Sequence, residues 1–169
     1  MNQSILPHPD KSYPPPAAQN AYLYRSTVTI GDTNCTGNMY FLNFFKLQGI
    51  VRELWIKDCV ENGLVDLTNG LRLITRDANN HFIKDFTLYE EVHIQLQFTR
   101  IERAHAQVRF RFYHADTGEL HSEGFQTVVF ANSSKRIVRI PPNWHQAMMT
   151  WSDLETGASA APGGQSVEN

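Results

Sequence analysis

The sequence predicts an α+β fold in which one long central helix is wrapped by an antiparallel sheet of about five to six strands. Three observations carry this. A β-patterned run, Ala21 to Ile30, turns on polar and glycine residues into a helical segment from Asn38 to about Cys59. That helix is apolar on most of its sides, the mark of a helix buried by other elements. From Leu71 onward, strand patterns follow one another with turn signals between them, as in a meander packed against a lone helix.

In the first strand Tyr22, Tyr24, Thr27, Val28, Thr29 and Ile30 are β-formers with partial alternation. Asp32 to Gly37 is rich in turn residues. In the helix Phe41, Phe44, Phe45, Gln48, Val51, Arg52 and Trp55 recur at steps of three and four. Asn62-Gly63 and Asn69-Gly70 mark the loop that follows. Leu71 to Thr75 reads as a strand that weakens toward Asn80.

Glu91 to Ile101 alternates, with Val92, Ile94, Leu96 and Phe98 on one side and His93, Gln95, Gln97 and Thr99 on the other. Ala104 to His114 alternates through Ala106, Val108, Phe110 and Phe112. Asp116-Thr117-Gly118 makes a hairpin turn. The return strand, Leu120 to Asn132, has Phe125, Thr127, Val129 and Ala131 in step. Lys135 to Ile140 reads as a short last strand, and Pro141-Pro142 opens a terminal helix through about Trp151.

The length, 169 residues, suits one domain with a real core. Its body is expected over 21–151. Residues 1–20 hold Pro7, Pro9 and Pro14-Pro15-Pro16 and form no expected regular element. Residues 152–169 are small, polar and expected to be disordered. A net charge of −2 without a basic block argues against nucleic acid. No apolar run has the length of a membrane span or signal core. Two cysteines, Cys35 and Cys59, suggest no disulfide framework, and a cytoplasmic protein is expected.

Several chemistries lack their residues. G-x-S-x-G, G-x-x-x-x-G-K-S/T and G-x-G-x-x-G are absent from the body. His121-Ser122-Glu123 has the H-x-E form, but no P-C-x-x-C follows it. His93, His105, His114 and His121 read as exposed strand residues, and no metal or cofactor is expected. Cys35 sits close to a helix start that would lower its pKa, but no histidine lies near it in sequence, so an incidental cysteine is the better reading. The helix start itself offers backbone N–H groups to a carbonyl oxygen or an anion. Asn34 and Asn38, taken alone, fit turn and N-cap chemistry, and Arg52 fits a surface charge.

The string Thr33-Asn34-x-x-Gly37-Asn38-x-Tyr40-Phe41-x-Asn43-Phe44, followed by Gln48-Gly49-x-x-Arg52-Glu53, changes that weighting. It resembles the 4-hydroxybenzoyl-CoA thioesterase group of hot-dog proteins. It is more closely similar to the thioesterases of enediyne polyketide biosynthesis. The resemblance implies the hot-dog fold, paired as a dimer or a dimer of dimers.

Asn34 then stands where common members carry a catalytic aspartate. The resemblance implies catalytic roles for Asn34, for Arg52 and for the backbone N–H of Phe41, with Gly37, Asn38, Tyr40, Phe44, Phe45 and Gln48 binding substrate. Close relatives place a tyrosine at the Phe44 position. A second hot-dog arrangement uses a mid-helix glutamate, and Leu42 to Gly49 contains none. The implied partner is the acyl carrier protein domain of a polyketide synthase, or an acyl-CoA. The implied reaction is hydrolysis of a β-ketoacyl thioester, with loss of CO₂ to a methyl ketone. The competing expectation is an acyl-binding protein that lost catalysis with the aspartate.

Overall fold

Five strands form one antiparallel sheet in a computed structural model that describes residues 20–153. The Pro-rich segment and the C-terminal tail expected from the sequence lie almost wholly outside those residues. The strands are β1 (Tyr22–Thr27), β2 (Arg72–Phe82), β3 (Glu91–Ile101), β4 (His105–His114) and β5 (Leu120–Ala131). Their spatial order is β1-β3-β4-β5-β2, which leaves β1 and β2 as the edges. Helix α1 (Phe41–Cys59) packs on one face, and α2 (Gly63–Thr68) and α3 (Pro142–Thr150) complete the chain. This is the hot-dog fold.

Alternation decides which face the helix covers. Val92, Ile94, Leu96 and Phe98 of β3 and Ala106, Val108, Phe110 and Phe112 of β4 are all fully buried, as their period of two predicts. The buried residues of α1 include Phe44, Gln48, Val51 and Trp55, a stripe at steps of four, three and four. Trp55 lies 4.7 Å from the Phe98 ring, and Phe44 meets Phe112 edge-on at 5.2 Å. Each such aromatic contributes about 1.5–3 kcal/mol by leaving water.

The structure corrects the sequence reading at seven places. The helix begins at Phe41 rather than Asn38, because Asn38 and Met39 are extended and bridge to Thr87 and Thr33. Strand β1 ends at Thr27 rather than Ile30, and Ile30–Asp32 forms a 3-10 turn held by the Asp32 carboxylate on the Thr29 N–H at 3.0 Å. The loop after α1 contains α2, which follows the left-handed Asn62. Strand β2 runs through Phe82, with a register shift between Thr75 and Asp77. Its β-poor stretch Asp77–Asn80 is carried by pairing with β5 rather than by propensity.

Lys135 to Ile140 is not a strand; it makes one bridge, Ala131 with Ile137, after the left-handed Lys135. In β5 the residues opposite the inward-facing Phe110 and Val108 are Gly124 and Gln126, so Phe125 and Thr127 face away from α1. Two of the four strand histidines are also misread as exposed. His93 and His121 are buried, and His121 packs 4.4 Å from the Phe86 ring.

Candidate active site

The loop before α1 is a tight hairpin. Tyr40 N–H donates to Asp32 O at 2.8 Å, Asn34 N–H to Asn38 O at 2.8 Å, and Gly37 N–H to Asn34 O at 3.0 Å. Gly37 has φ +84°, a conformation that a side chain would strain. Within this hairpin the Asn34 carboxamide oxygen accepts three bonds, from Thr36 N–H at 2.9 Å, Thr36 Oγ1 at 2.6 Å and Asn38 N–H at 3.2 Å. The turn role expected of Asn34 is therefore taken by its oxygen, which leaves the NH₂ as its outward group.

Helix α1 starts directly after this loop, and no side chain caps it. The Phe41 N–H is the first of its unsatisfied donors. The Tyr40 and Phe41 rings lie 4.7 Å apart, tilted at 59°, and both are exposed, while Phe45 is half-buried. Phe44 sits in the core between Phe82, Phe86 and Phe112 and is 3% exposed, so its ring is packing rather than an open pocket wall. Asn38 donates from Nδ2 to Asp85 Oδ2 at 3.0 Å. Sequence reasoning missed Asp85: it lies 47 residues away, beyond an edge strand whose full length was not legible.

Arg52 does not join this group within one chain. It is eleven positions after Phe41, about 16 Å along the helix axis. Its Nη1 donates to Thr75 Oγ1 at 2.8 Å and Gln126 Oε1 at 2.7 Å. Burial pushes its guanidinium below its ordinary value, while Glu53 opposes that shift. Arginine stays charged through such shifts.

Gln48 is 0% exposed and its amide is spent inside the protein. Its Oε1 accepts from Gln126 Nε2 at 3.1 Å, and its Nε2 donates to Asn79 O at 3.2 Å and Asn80 Oδ1 at 3.1 Å. Both ends of the Gln48 amide are bonded within the chain.

A second titratable group lies beside the hairpin. His114 and His121 are 5.5 Å apart, with Glu90 and Glu119 as carboxylate neighbours. Burial, then the His114 charge, lowers the pKa of His121. Burial raises the Glu90 carboxyl, but bonds from Thr87 and the histidine charges bring it below its usual range. Among the described residues no cluster of His, Cys, Asp or Glu could hold a metal ion. Nor is any helix there long and apolar enough to cross a membrane.

A family model described as the thioesterase-like superfamily matches residues 28–151. The chain belongs to the thioesterase-like superfamily. The match takes in the hairpin, α1 and the whole of β2–β5. No curated protein sequence matches the chain. Among solved structures, the dynemicin thioesterase, solved in work on polyene binding, is 25% identical and superposes with a TM-score of 0.74 over 79% of this chain and 99% of that one. The 1,4-dihydroxy-2-naphthoyl-CoA thioesterase from Synechocystis is 16% identical, with a TM-score of 0.70 over 76% and 96%. A Staphylococcus aureus protein solved in complex with CoA is 12% identical, with a TM-score of 0.74 over 89% and 97%. The last two likenesses speak to the fold alone.

Proposed function

We propose that this member of the thioesterase-like superfamily hydrolyses a β-ketoacyl thioester, carried on an acyl carrier protein or CoA, at a site assembled between two copies of the chain. The observation that carries the reading is the fixed carboxamide of Asn34. Three donors hold its oxygen, so the NH₂ is the group left free, on the loop that leads into the uncapped start of α1. Two donors, Asn34 Nδ2 and the Phe41 N–H, suit a thioester carbonyl whose oxygen gains charge as water attacks. The water oxygen bonds the carbonyl carbon, the C–S bond breaks, and a water proton passes to the departing thiolate.

Such a site supplies polarisation without a carboxylate base, which fits an acyl group already activated by a β-keto oxygen. The free β-keto acid can then lose CO₂ to leave a methyl ketone. Arg52 of a second copy answers the 16 Å gap. Strand β2 is an eleven-residue edge that runs beside Arg52 at Thr75 and beside Phe44 at Phe82. Pairing β2 with its own copy, antiparallel, brings one chain's Arg52 toward the other's hairpin. The guanidinium fork then meets the β-keto oxygen or the enolate-like charge.

The test is a hydrolysis screen of graded β-ketoacyl and saturated thioesters on CoA and carrier-protein mimics. It follows thiol release and, by mass spectrometry, methyl ketone. Release with β-ketoacyl chains, lost in Arg52→Met, supports the reading. Tight acyl retention without thiol release replaces it with an acyl-binding protein.

A further inference from the structure

A polar relay crosses the otherwise apolar layer between α1 and the sheet. Arg52 Nη1 donates to Gln126 Oε1 at 2.7 Å, and Gln126 Nε2 donates to Gln48 Oε1 at 3.1 Å. Gln48 Nε2 donates to Asn80 Oδ1 at 3.1 Å, Asn80 Nδ2 donates to Ser122 Oγ, and Ser122 Oγ donates to His81 O at 2.9 Å. Every link points the same way. The two ends impose that direction: a guanidinium only donates, and the backbone oxygens of Asn79 and His81 only accept. The amides between them have one orientation that satisfies both ends.

Gln48 and Ser122 are fully buried and Gln126 nearly so. Three such groups in an apolar layer carry a desolvation cost that only a fully connected network offsets. Gly124, between Ser122 and Gln126 on β5, makes the space. A Cβ there would lie 2.2 Å from Gln48 Nε2, 2.6 Å from Asn80 Oδ1 and 2.7 Å from Asn79 O. The backbone is not in a left-handed conformation at Gly124, so closeness rather than φ demands the glycine. At the other end the buried Nε of Arg52 has no protein partner. Sealed from water and unpaired, that Nε–H depends on the bonds at Nη1 to stay in place.

We propose that Gln126 and Gln48 are positioning residues for Arg52, and that the relay seated by Gly124, through the Nη1 it holds, aims the guanidinium at an oxygen of the acyl group. This rests on the hydrolase reading for its substrate but not for its geometry. A displaced contact of about 1 Å at a reacting group costs on the order of a hundredfold.

The experiment uses the full-length protein, labelled with ¹⁵N, and the Arg52 Nε–H signal assigned by its loss in Arg52→Lys. In Gln126→Met, of similar volume, hydrogen exchange at that signal speeds up about tenfold or more, and kcat/KM falls roughly 10–100-fold. Gln126→Glu, which keeps the acceptor for Nη1, recovers the protection. Thr75→Val, at the exposed end, speeds exchange by a smaller factor and decides the matter if Gln126→Met fails to fold. Wild-type exchange and kcat/KM in folded Gln126→Met, or in Thr75→Val where that variant decides, overturn the proposal. Exchange that responds as expected in a protein that cleaves no thioester keeps the relay and discards the hydrolase reading.

Discussion

Complementation between two dead variants tests whether the site spans two chains. Arg52 stands about 16 Å along α1 from the Phe41 N–H, more than its side chain can bridge. Thr75 and Gln126 also tie its Nη1 down at the far end. A site within one chain would therefore leave Arg52 away from the reacting carbonyl. In the proposed two-fold pair the hairpin of each chain meets Arg52 of the other. Asn34→Ala and Arg52→Met are co-expressed with different tags, and the mixed dimer is isolated through both. One of its two sites then holds both mutations and the other holds neither. The mixed dimer should turn over at about half the wild-type rate, against losses of about 10²–10³ for each variant alone. The assay is thiol release from a β-ketoacyl thioester. A mixed dimer no faster than the two single variants would refute the shared site, because in a one-chain site every copy carries a lesion.

Asn34→Asp keeps an acceptor for all three hairpin bonds, so stability should stay within about 0.5 kcal/mol, while loss of the NH₂ should lower kcat by roughly 10². A gain in rate would instead mark the wild type as a protein that binds acyl chains without cleaving them. The lowered pKa of His121, from burial and then His114, means the unfolded chain binds more protons near pH 6. Stability should therefore fall as pH drops through about 6.5, and His121→Gln should flatten that part of a Tm profile, leaving the slope from His93, lowered by burial and Arg25. An unchanged slope would show that His121 does not carry it. Gly124→Ala should destabilise by about 1–3 kcal/mol in urea titration, since its Cβ meets the Asn79 backbone as well as movable amides. A change near zero would mean the relay repacks freely.

The strands that alternate in sequence emerged where expected because their pattern is set by what they bury. Val92 to Phe98 and Ala106 to Phe112 face the helix in every alternate position. The sequence pattern shortens β2 because Asp77, Asn79 and Asn80 are poor strand formers, and only the β5 partner shows why they are extended. β5 was read on the wrong face for a related reason. Its inward positions next to β2 are Ser122, Gly124 and Gln126, which look outward-facing by composition. They are inward because Gln48 and Arg52 of α1 need partners there. Hydrophobic periodicity misreads a strand wherever the core is polar. His121 was misread in the same way: nothing near it in sequence announces Phe86 and His114 packed against its ring.

The turn bonds of Asn34 bear directly on the catalytic role proposed for its amide. A free carboxamide could present either its oxygen or its NH₂ to a substrate. Thr36 and Asn38 remove that choice by occupying the oxygen, so the hairpin decides which chemistry the side chain can offer. An aspartate held by the same three donors would present a second carboxylate oxygen, a base. The exchange of one atom thus converts a proton-accepting site into a donor site on an unchanged loop. Arg52 follows the same logic from the opposite end. Its Nη1 is occupied by protein acceptors and its Nε is not. In both residues the bonds within the chain determine which polar atoms are left free, and those atoms are donors. Asn34, the Phe41 N–H and Arg52 together would offer donors alone, a set that stabilises negative charge on oxygen and takes no proton itself. This is why we propose a β-ketoacyl thioester, whose acyl group spreads such charge itself.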